Sequence, residues 1–269
     1  MSLRFHPYEA IQKEVKNLKP QRGIHQIILN EGDFPMEKLE MLYEGKAKRV
    51  YKTENNENYI VEYKDDATAF NGLKKGSVHD KGIVNNKVSS IIFAILEEKG
   101  IPTHMISYIN DREQLVKAVE IVPVEVIIRN LATGSITKRL GIEEGLVFEE
   151  PVLEFCYKND DYGDPIINEY HIKAMNLATE EEIEKIKKYT FEINELLIEF
   201  FKSKGLRLVD FKLEFGRYKG DIILADEISP DTCRLWDLVT NEKMDKDRFR
   251  RDLGKVEEAY QEVLQRLNV

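Results

Sequence analysis

The stretch from Arg207 to Trp236, RLVDFKLEFGRYKGDIILADEISPDTCRLW, constrains the fold of this chain more than any other. Val209, Phe211, Leu213 and Phe215 alternate with Asp210, Lys212 and Glu214, the period of a strand with one apolar and one charged face. Gly216 to Gly220 supply a turn, and Asp221 to Ile228 form a second, largely apolar run with Asp226 and Glu227 near its end. The segment reads as a hairpin that brings carboxylates from both arms to one end. Ser229, Pro230 and Asp231 close the second arm, and Arg234 and Trp236, the only tryptophan, follow at once.

A lysine flanked by acids on one strand face has two readings. Magnesium takes oxygen ligands, usually one or two carboxylates plus phosphate oxygens, and a neighbouring lysine neutralises charge on a transferring phosphoryl group. On that reading Glu214 and Asp226 are the metal-associated pair. On the other, the face is solvated and carries a Lys-Glu cross-strand pair. Alternation alone does not separate the two.

A chain of 269 residues can bury a sizeable core, as one large domain or as two lobes. Forty basic against forty-nine acidic residues give a net charge of -9, which argues against a nucleic-acid-coating role. Two cysteines, Cys156 and Cys233, make neither a disulfide framework nor a zinc spacing, so a reducing cytoplasm is the expected setting. No apolar run approaches the length of a transmembrane helix, and no signal-peptide order is present, so neither membrane nor nucleic acid is an expected partner.

Residues 1–35 stand apart as an N-terminal extension of unassigned role. Tyr8, Ile11, Val15 and Leu18 share a helical face, residues 24–29 suit a short strand, and Met36 can itself serve as a start. Then comes MLYEGKAKRVY, where Gly45 separates two expected strands and Lys46, Lys48 and Arg49 follow it. Such a loop lets backbone approach a polyphosphate while lysines supply charge, though a basic hairpin edge that resists aggregation has the same text. It is not a GxxxxGK[ST] loop. Residues 64–72 and 74–82 read as polar loops, and a core helix follows to Gly100, with Asn85 and Asn86 near its start. Residues 101–109 read as a strand, 112–119 as a short helix and 122–130 as a strand. LATGSITKRLG then turns into a helix at Gly134 and Ser135, where free amides and Arg129 suit an anion and an ordinary serine cap is the alternative. Residues 148–169 read as irregular, with KNDDYGDP either lining a pocket or crossing the surface. Thr179 and Glu182 form a capping box for a long helix, and a closing helix runs from Asp245 to Leu267 with Arg248, Arg250 and Arg251 on its solvated face.

Taken in order, LYEGKAKRVY, KGIVNNK, VPVEVIIRNLATGS, LVDFKLEFG, ADEISPD and MDKDRFRRDLG resemble the SAICAR synthetases, the phosphoribosylaminoimidazole-succinocarboxamide synthases of purine biosynthesis. The resemblance covers residues 36–269. It implies an α+β fold, with an N-terminal antiparallel-sheet lobe like the small lobe of protein kinases at 36–120 and a larger lobe at 121–269. It also implies a ligase that joins 4-carboxy-5-aminoimidazole ribonucleotide (CAIR) to L-aspartate with ATP and magnesium. On the resemblance Gly45, Lys46 and Lys48 contact ATP phosphates, and Glu214 and Asp226 hold magnesium. Arg129, Ser135 and Arg234 hold the ribonucleotide, while Lys212 and Asp210 flank its reacting end. Bacterial members suggest a homodimer. A small-molecule kinase and a non-catalytic nucleotide-binding regulator are the rival functions.

Overall fold

The computed structural model describes residues 37–69 and 72–268. The helix and strand expected at 8–18 and 24–29 lie outside the described residues. Met41–Glu44 (β1), Lys48–Lys52 (β2) and Asn58–Tyr63 (β3) form an antiparallel meander, with Gly45 in the first turn, where its N–H donates to Lys48 O at 2.8 Å. Asp66–Ala69 (β4) and Lys74–Ser77 (β5) pair as a small hairpin where sequence suggests two loops. The helix Lys81–Glu98 (α1) follows, and Met105–Asn110 (β6) and Glu113–Lys117 (β7) complete a five-stranded sheet in the order β1-β2-β3-β7-β6. A helix was expected over 112–119. Leu115 and Val116 are instead buried in a strand paired on both sides, because ladder bonds to β3 and β6 outweigh the local preference of so short a segment.

The second sheet contains the alternating strand of the sequence. Glu120–Leu131 (β8) runs to the short helix Ser135–Leu140 (α2), and Val147–Tyr157 (β9) and Ile166–Ile167 (β10) follow, so most of 148–169 is ordered strand rather than irregular. Glu169–Ala174 (α3) and the long helix Glu180–Ser203 (α4) lead into Leu206–Tyr218 (β11), Asp221–Ala225 (β12) and Cys233–Asp237 (β13). The strand order is β10-β9-β8-β11-β12, with β13 also paired to β11. Thr179 and Glu182 make the expected capping box, Thr179 Oγ1 accepting from Glu182 N at 3.2 Å and Glu182 Oε2 from Thr179 N at 2.8 Å. The architecture is α+β, as expected, with all strand ladders antiparallel.

The main core lies on one face of this sheet. Val122, Val124, Val126 and Ile128 of β8 and Phe211, Leu213 and Phe215 of β11 pack with apolar side chains of α1 and α4. They also meet Tyr260, Val263 and Leu267 of the closing helix Val256–Leu267 (α6). That helix is shorter than the sequence suggests. A separate turn of helix, Asp247–Arg250 (α5), precedes it, and positive φ at Asp252, Gly254 and Lys255 breaks the two apart. Arg248 is accordingly not solvated. It is buried, with Nε donating to Gly254 O at 2.7 Å and Nη1 to Lys243 O at 2.9 Å.

Candidate active site

The other face of β8 and β11 forms part of a cleft of about 710 Å³ lined by residues of both sheets. The register decides what meets there. Asp210 stands opposite Arg129 on β8 and Arg234 on β13, and Glu214 stands opposite Glu125. The charged face of the hairpin is therefore not a solvated outer surface: Asp210 is 2% exposed and Glu214 4%.

At the centre, lysines and carboxylates interleave. Lys212 Nζ lies 2.9 Å from Glu125 Oε1, 2.5 Å from Glu214 Oε1 and 3.7 Å from Asp226 Oδ2. Lys158, from the KNDDYGDP run after β9, donates to Glu214 Oε1 at 2.9 Å. Lys48 of β2 crosses from the smaller sheet, bonds Asp226 and lies 3.7 Å from Glu227 Oε1. Burial alone would drive protons from Lys48 and Lys212, but the carboxylates around them prevail and hold both ammonium groups above the ordinary lysine value. Burial raises the Glu125 and Glu227 carboxyls, while Asp226, although buried, is held below the usual range by Lys48 and Lys212.

Next to this centre is an arginine cradle. Arg129 Nη1 donates to Asp210 Oδ2 at 2.5 Å, its Nε to Glu154 Oε2 at 2.8 Å and its Nη2 to Ser135 Oγ at 3.3 Å. Arg234 Nη1 reaches both Asp210 oxygens, at 3.1 and 2.9 Å, and its Nε reaches Asp247 Oδ2 at 3.0 Å. Ser135 is not a helix cap; Gly134 holds the N-cap position, and no side-chain cap bond is made. A Cβ at Gly134 would lie 2.7 Å from Arg234 Nη2, and φ there is +67°, so only glycine lets the guanidinium pass. Two fixed, planar cations beside a hydroxyl and a helix start suit a phosphate.

Gly45 and Lys46 also line the cleft. Lys46 is partly exposed and pairs with Asp160 Oδ1 at 2.6 Å, from a single 3-10 turn at Asp160–Tyr162. Val50, Val61 and Val116 pack together and, with Val119 and Ile121, give the cleft an apolar slot, the kind of lining that suits a flat ring. All ten residues singled out for this site, Gly45, Lys46, Lys48, Arg129, Ser135, Asp210, Lys212, Glu214, Asp226 and Arg234, line the one cleft. Asn85 and Asn86 are not among its lining residues: Asn86 Nδ2 donates to Asn110 O at 2.8 Å, and Asn85 is buried with its carboxamide unpartnered.

Sequence reasoning missed Glu125, His104 and Lys246, which also line the cleft. The signal for Glu125 was present, since it shares the alternate face of β8 with Arg129. Burial and nearby Lys48 push the His104 imidazole down to about 3, leaving it neutral. Asp231, which closes the second arm of the hairpin, is held by buried Lys81 at 2.8 Å and by Tyr260 OH at 2.7 Å.

The oxygen donors fit magnesium in one particular way. Among the described residues no group of three His, Cys, Asp or Glu side chains forms a metal cage. Glu214 and Asp226 offer hard oxygens, and the buried Glu227 Oε2 beside them has no partner. That is a donor set for an ion that takes its remaining ligands from phosphate and water.

The family model of SAICAR synthetase matches residues 41–267. A phosphoribosylaminoimidazole-succinocarboxamide synthase of Caldanaerobacter subterraneus subsp. tengcongensis is 67% identical over 232 residues, covering 86% of this chain and 99% of the relative. The crystal structure of the Ehrlichia chaffeensis synthase superimposes with a TM-score of 0.84 at 51% identity, over 85% of this chain and 98% of that one. A SAICAR synthetase solved in complex with ADP gives 0.82 at 47% identity, over 85% and 97%. With its motifs gathered in one cleft and its match running from residue 41 to residue 267, the chain belongs to the SAICAR synthetase family of ligases.

Proposed function

We propose that this chain joins CAIR to L-aspartate at the expense of ATP, giving the succinocarboxamide, ADP and phosphate. The observation that carries this reading is the continuity of three environments in one cleft: apolar slot, lysine-carboxylate centre and arginine cradle. A nucleotide base suits the slot, a polyphosphate the glycine turn with Lys46 and Lys48, and the ribonucleotide phosphate the cradle of Arg129, Ser135 and Arg234. The ADP bound to a 47% identical relative supports the nucleotide assignment.

A carboxylate is a poor acyl donor because oxide would have to leave. In the proposed route a CAIR carboxylate oxygen takes the γ-phosphoryl group of ATP, and ADP departs. The amine of aspartate then attacks the acyl carbon, a C–N bond forms, the C–O bond to phosphate breaks, and the amine loses its proton. Lys212 lies where it can neutralise the reacting carboxylate, and Asp210 holds the two arginines so that the bound ribonucleotide is aligned. Magnesium, when held by Glu214 and Asp226, supplies positive charge to the phosphate oxygens. Asp210 and Asp231 both have their oxygens committed to cations or hydroxyl donors, which favours holding roles over proton abstraction.

On this reading residues 36–120 act as the ATP lobe and 121–269 as the substrate and metal lobe, with 1–35 outside the chemistry. We place the enzyme in the cytoplasm as a homodimer. Both cysteines are buried and unpaired, and among the described residues no helix is long and apolar enough to cross a membrane. The deciding experiment is ADP release with ATP and magnesium, with CAIR and L-aspartate each present or omitted, while following the imidazole product's absorbance. Release that needs both CAIR and aspartate, with matching product, is the expected result. Release indifferent to aspartate would mean a kinase or an uncoupled ATPase, and ATP binding without turnover a regulator.

A further inference from the structure

The motif MDKDRFRRDLG brings Arg250 to the cleft wall, where the sequence suggested a solvated face. Asp247, three residues earlier, is buried, its side chain 2% exposed, and its two oxygens serve two guanidiniums. Oδ2 accepts from Arg234 Nε at 3.0 Å and Oδ1 from Arg250 Nη1 at 2.7 Å. The backbone fixes this carboxylate as well. Asp245, fully buried, accepts from Leu235 N of β13 at 2.8 Å through Oδ2 and from Asp247 N at 2.7 Å through Oδ1, so α5 is tied to the strand that carries Arg234. Burial by itself would raise the Asp247 carboxyl, but Arg234 and Arg250 prevail and hold it below the usual carboxylate value.

The arginine cradle is thereby the middle of a chain of alternating charges. Glu154, Arg129, Asp210, Arg234, Asp247 and Arg250 each bond the next at 2.5 to 3.0 Å. Arg234 is clamped at two points, Nη1 on Asp210 and Nε on Asp247, and its Nη2 lies beside Gly134, one residue before Ser135. A guanidinium held by one carboxylate still turns about its bonds; held by two, it presents one fixed edge. Without Asp247 the Arg234 and Arg250 cations would also lose the anion they share. Resting on the reading of this cradle as the ribonucleotide-phosphate site, we propose that Asp247 is a positioning residue, one that does not line the cleft itself but sets Arg234 and Arg250 so that the phosphate meets guanidiniums already in place.

Steady-state kinetics of the full chain test this, with CAIR compared against the same carboxyaminoimidazole riboside lacking its 5′-phosphate. The quantity read is the ratio of kcat/KM for ribonucleotide to riboside within one protein, so general loosening of the fold does not imitate the result. Asp247→Asn keeps the volume and removes the charge. It should lower the ratio by about 10- to 100-fold, the span expected when a charge-assisted bond is lost from the support of a ligand-binding group. The loss should appear as a raised KM for CAIR, with KM for ATP and for L-aspartate near their wild-type values. Asp247→Glu, which keeps the charge, should recover part of the ratio. Asp247→Ser, small enough to admit water between the guanidiniums, serves if the asparagine variant does not fold; failure of both to fold would show a carboxylate kept for stability and overturn the positioning role. Arg251→Gln is the control, because Arg251 Nη2 lies 3.5 Å from the same carboxylate and Arg251 does not line the cleft, so the ratio should stay as in the wild type. A ratio kept in Asp247→Asn, or lowered as much by Arg251→Gln, would overturn the role of Asp247 alone. A wild type that uses the riboside as well as CAIR would overturn it together with the phosphate assignment of the cradle, and no turnover of either would overturn the ligase reading beneath both.

Discussion

Glu214 is the shared acceptor of Lys158 and Lys212, and both lysines lose that partner if it is shortened. Their ammonium groups open onto the cleft and can rehydrate, so Glu214→Ala should cost only about 1–3 kcal/mol of stability. On the proposed metal-holding role of Glu214, turnover should fall much further, by about 10²-fold or more, because charge at the transferring phosphoryl group would then be held at the wrong place. Activity and unfolding measured on the same preparation check both halves, and unchanged activity at limiting magnesium would remove Glu214 from the metal site. At this scale the sequence was most legible for residues whose motif neighbours are close in the chain, such as Lys212 and Glu214. It was least legible for His104, which comes to the cleft wall only because its backbone pairs with Leu224 and Lys117, residues far from it in the chain or across a turn.

Among the elements, β11 is decisive. Its alternation was readable, but its partners were not: β8 and β13 flank the same stretch, so Asp210 sits between two arginines 105 residues apart in sequence, Arg129 and Arg234. Short elements were read least well. The five residues of β7 and the four each of β4 and β5 have too little pattern to distinguish strand from helix or loop, and pairing decides them. Helix α4 is the opposite case, since its capping box and apolar stripe are local. Thr179→Ala should cost about 1 kcal/mol by freeing the Glu182 amide and its reciprocal bond. Urea unfolding would register that loss, and ligase activity should stay at the wild-type level because no cleft residue touches the cap.

Across the whole molecule, Glu144 ties the loop before β9 to the segment between α5 and α6, accepting from Arg251 Nη2 at 2.5 Å. That bond first, with Thr133 and nearby cations, brings the Glu144 carboxyl from 4.5 down to about 2. The folded value is the depressed one, so the stabilisation is present above about pH 4.5 and is lost as pH falls toward 2. Much of the pair is in contact with solvent, so the effect is modest. Melting temperatures of wild type and Glu144→Gln should therefore differ near neutral pH and converge toward pH 2; a constant gap would show that the pair carries no linked proton. Removing residues 1–35 should leave turnover unchanged, since the family match begins at residue 41 and, among the described residues, the cleft lining begins at Tyr43. A folded truncation without turnover would give the extension a place in the chemistry.

The order of motifs along the chain was sufficient to identify the family and its α+β class, and local rules were sufficient for the hairpin and the long capped helix, because strand alternation and helix caps are written within a few residues. Which lysine meets which carboxylate was settled only by tertiary structure. Lys48 and Asp226 are far apart in the chain, as are Lys158 and Glu214, and strand pairing and the approach of the two sheets bring them together. Opposite charges then decide protonation: burial alone would drive the protons from Lys48 and Lys158, and the carboxylates that folding sets beside them hold both ammonium groups above the ordinary lysine value.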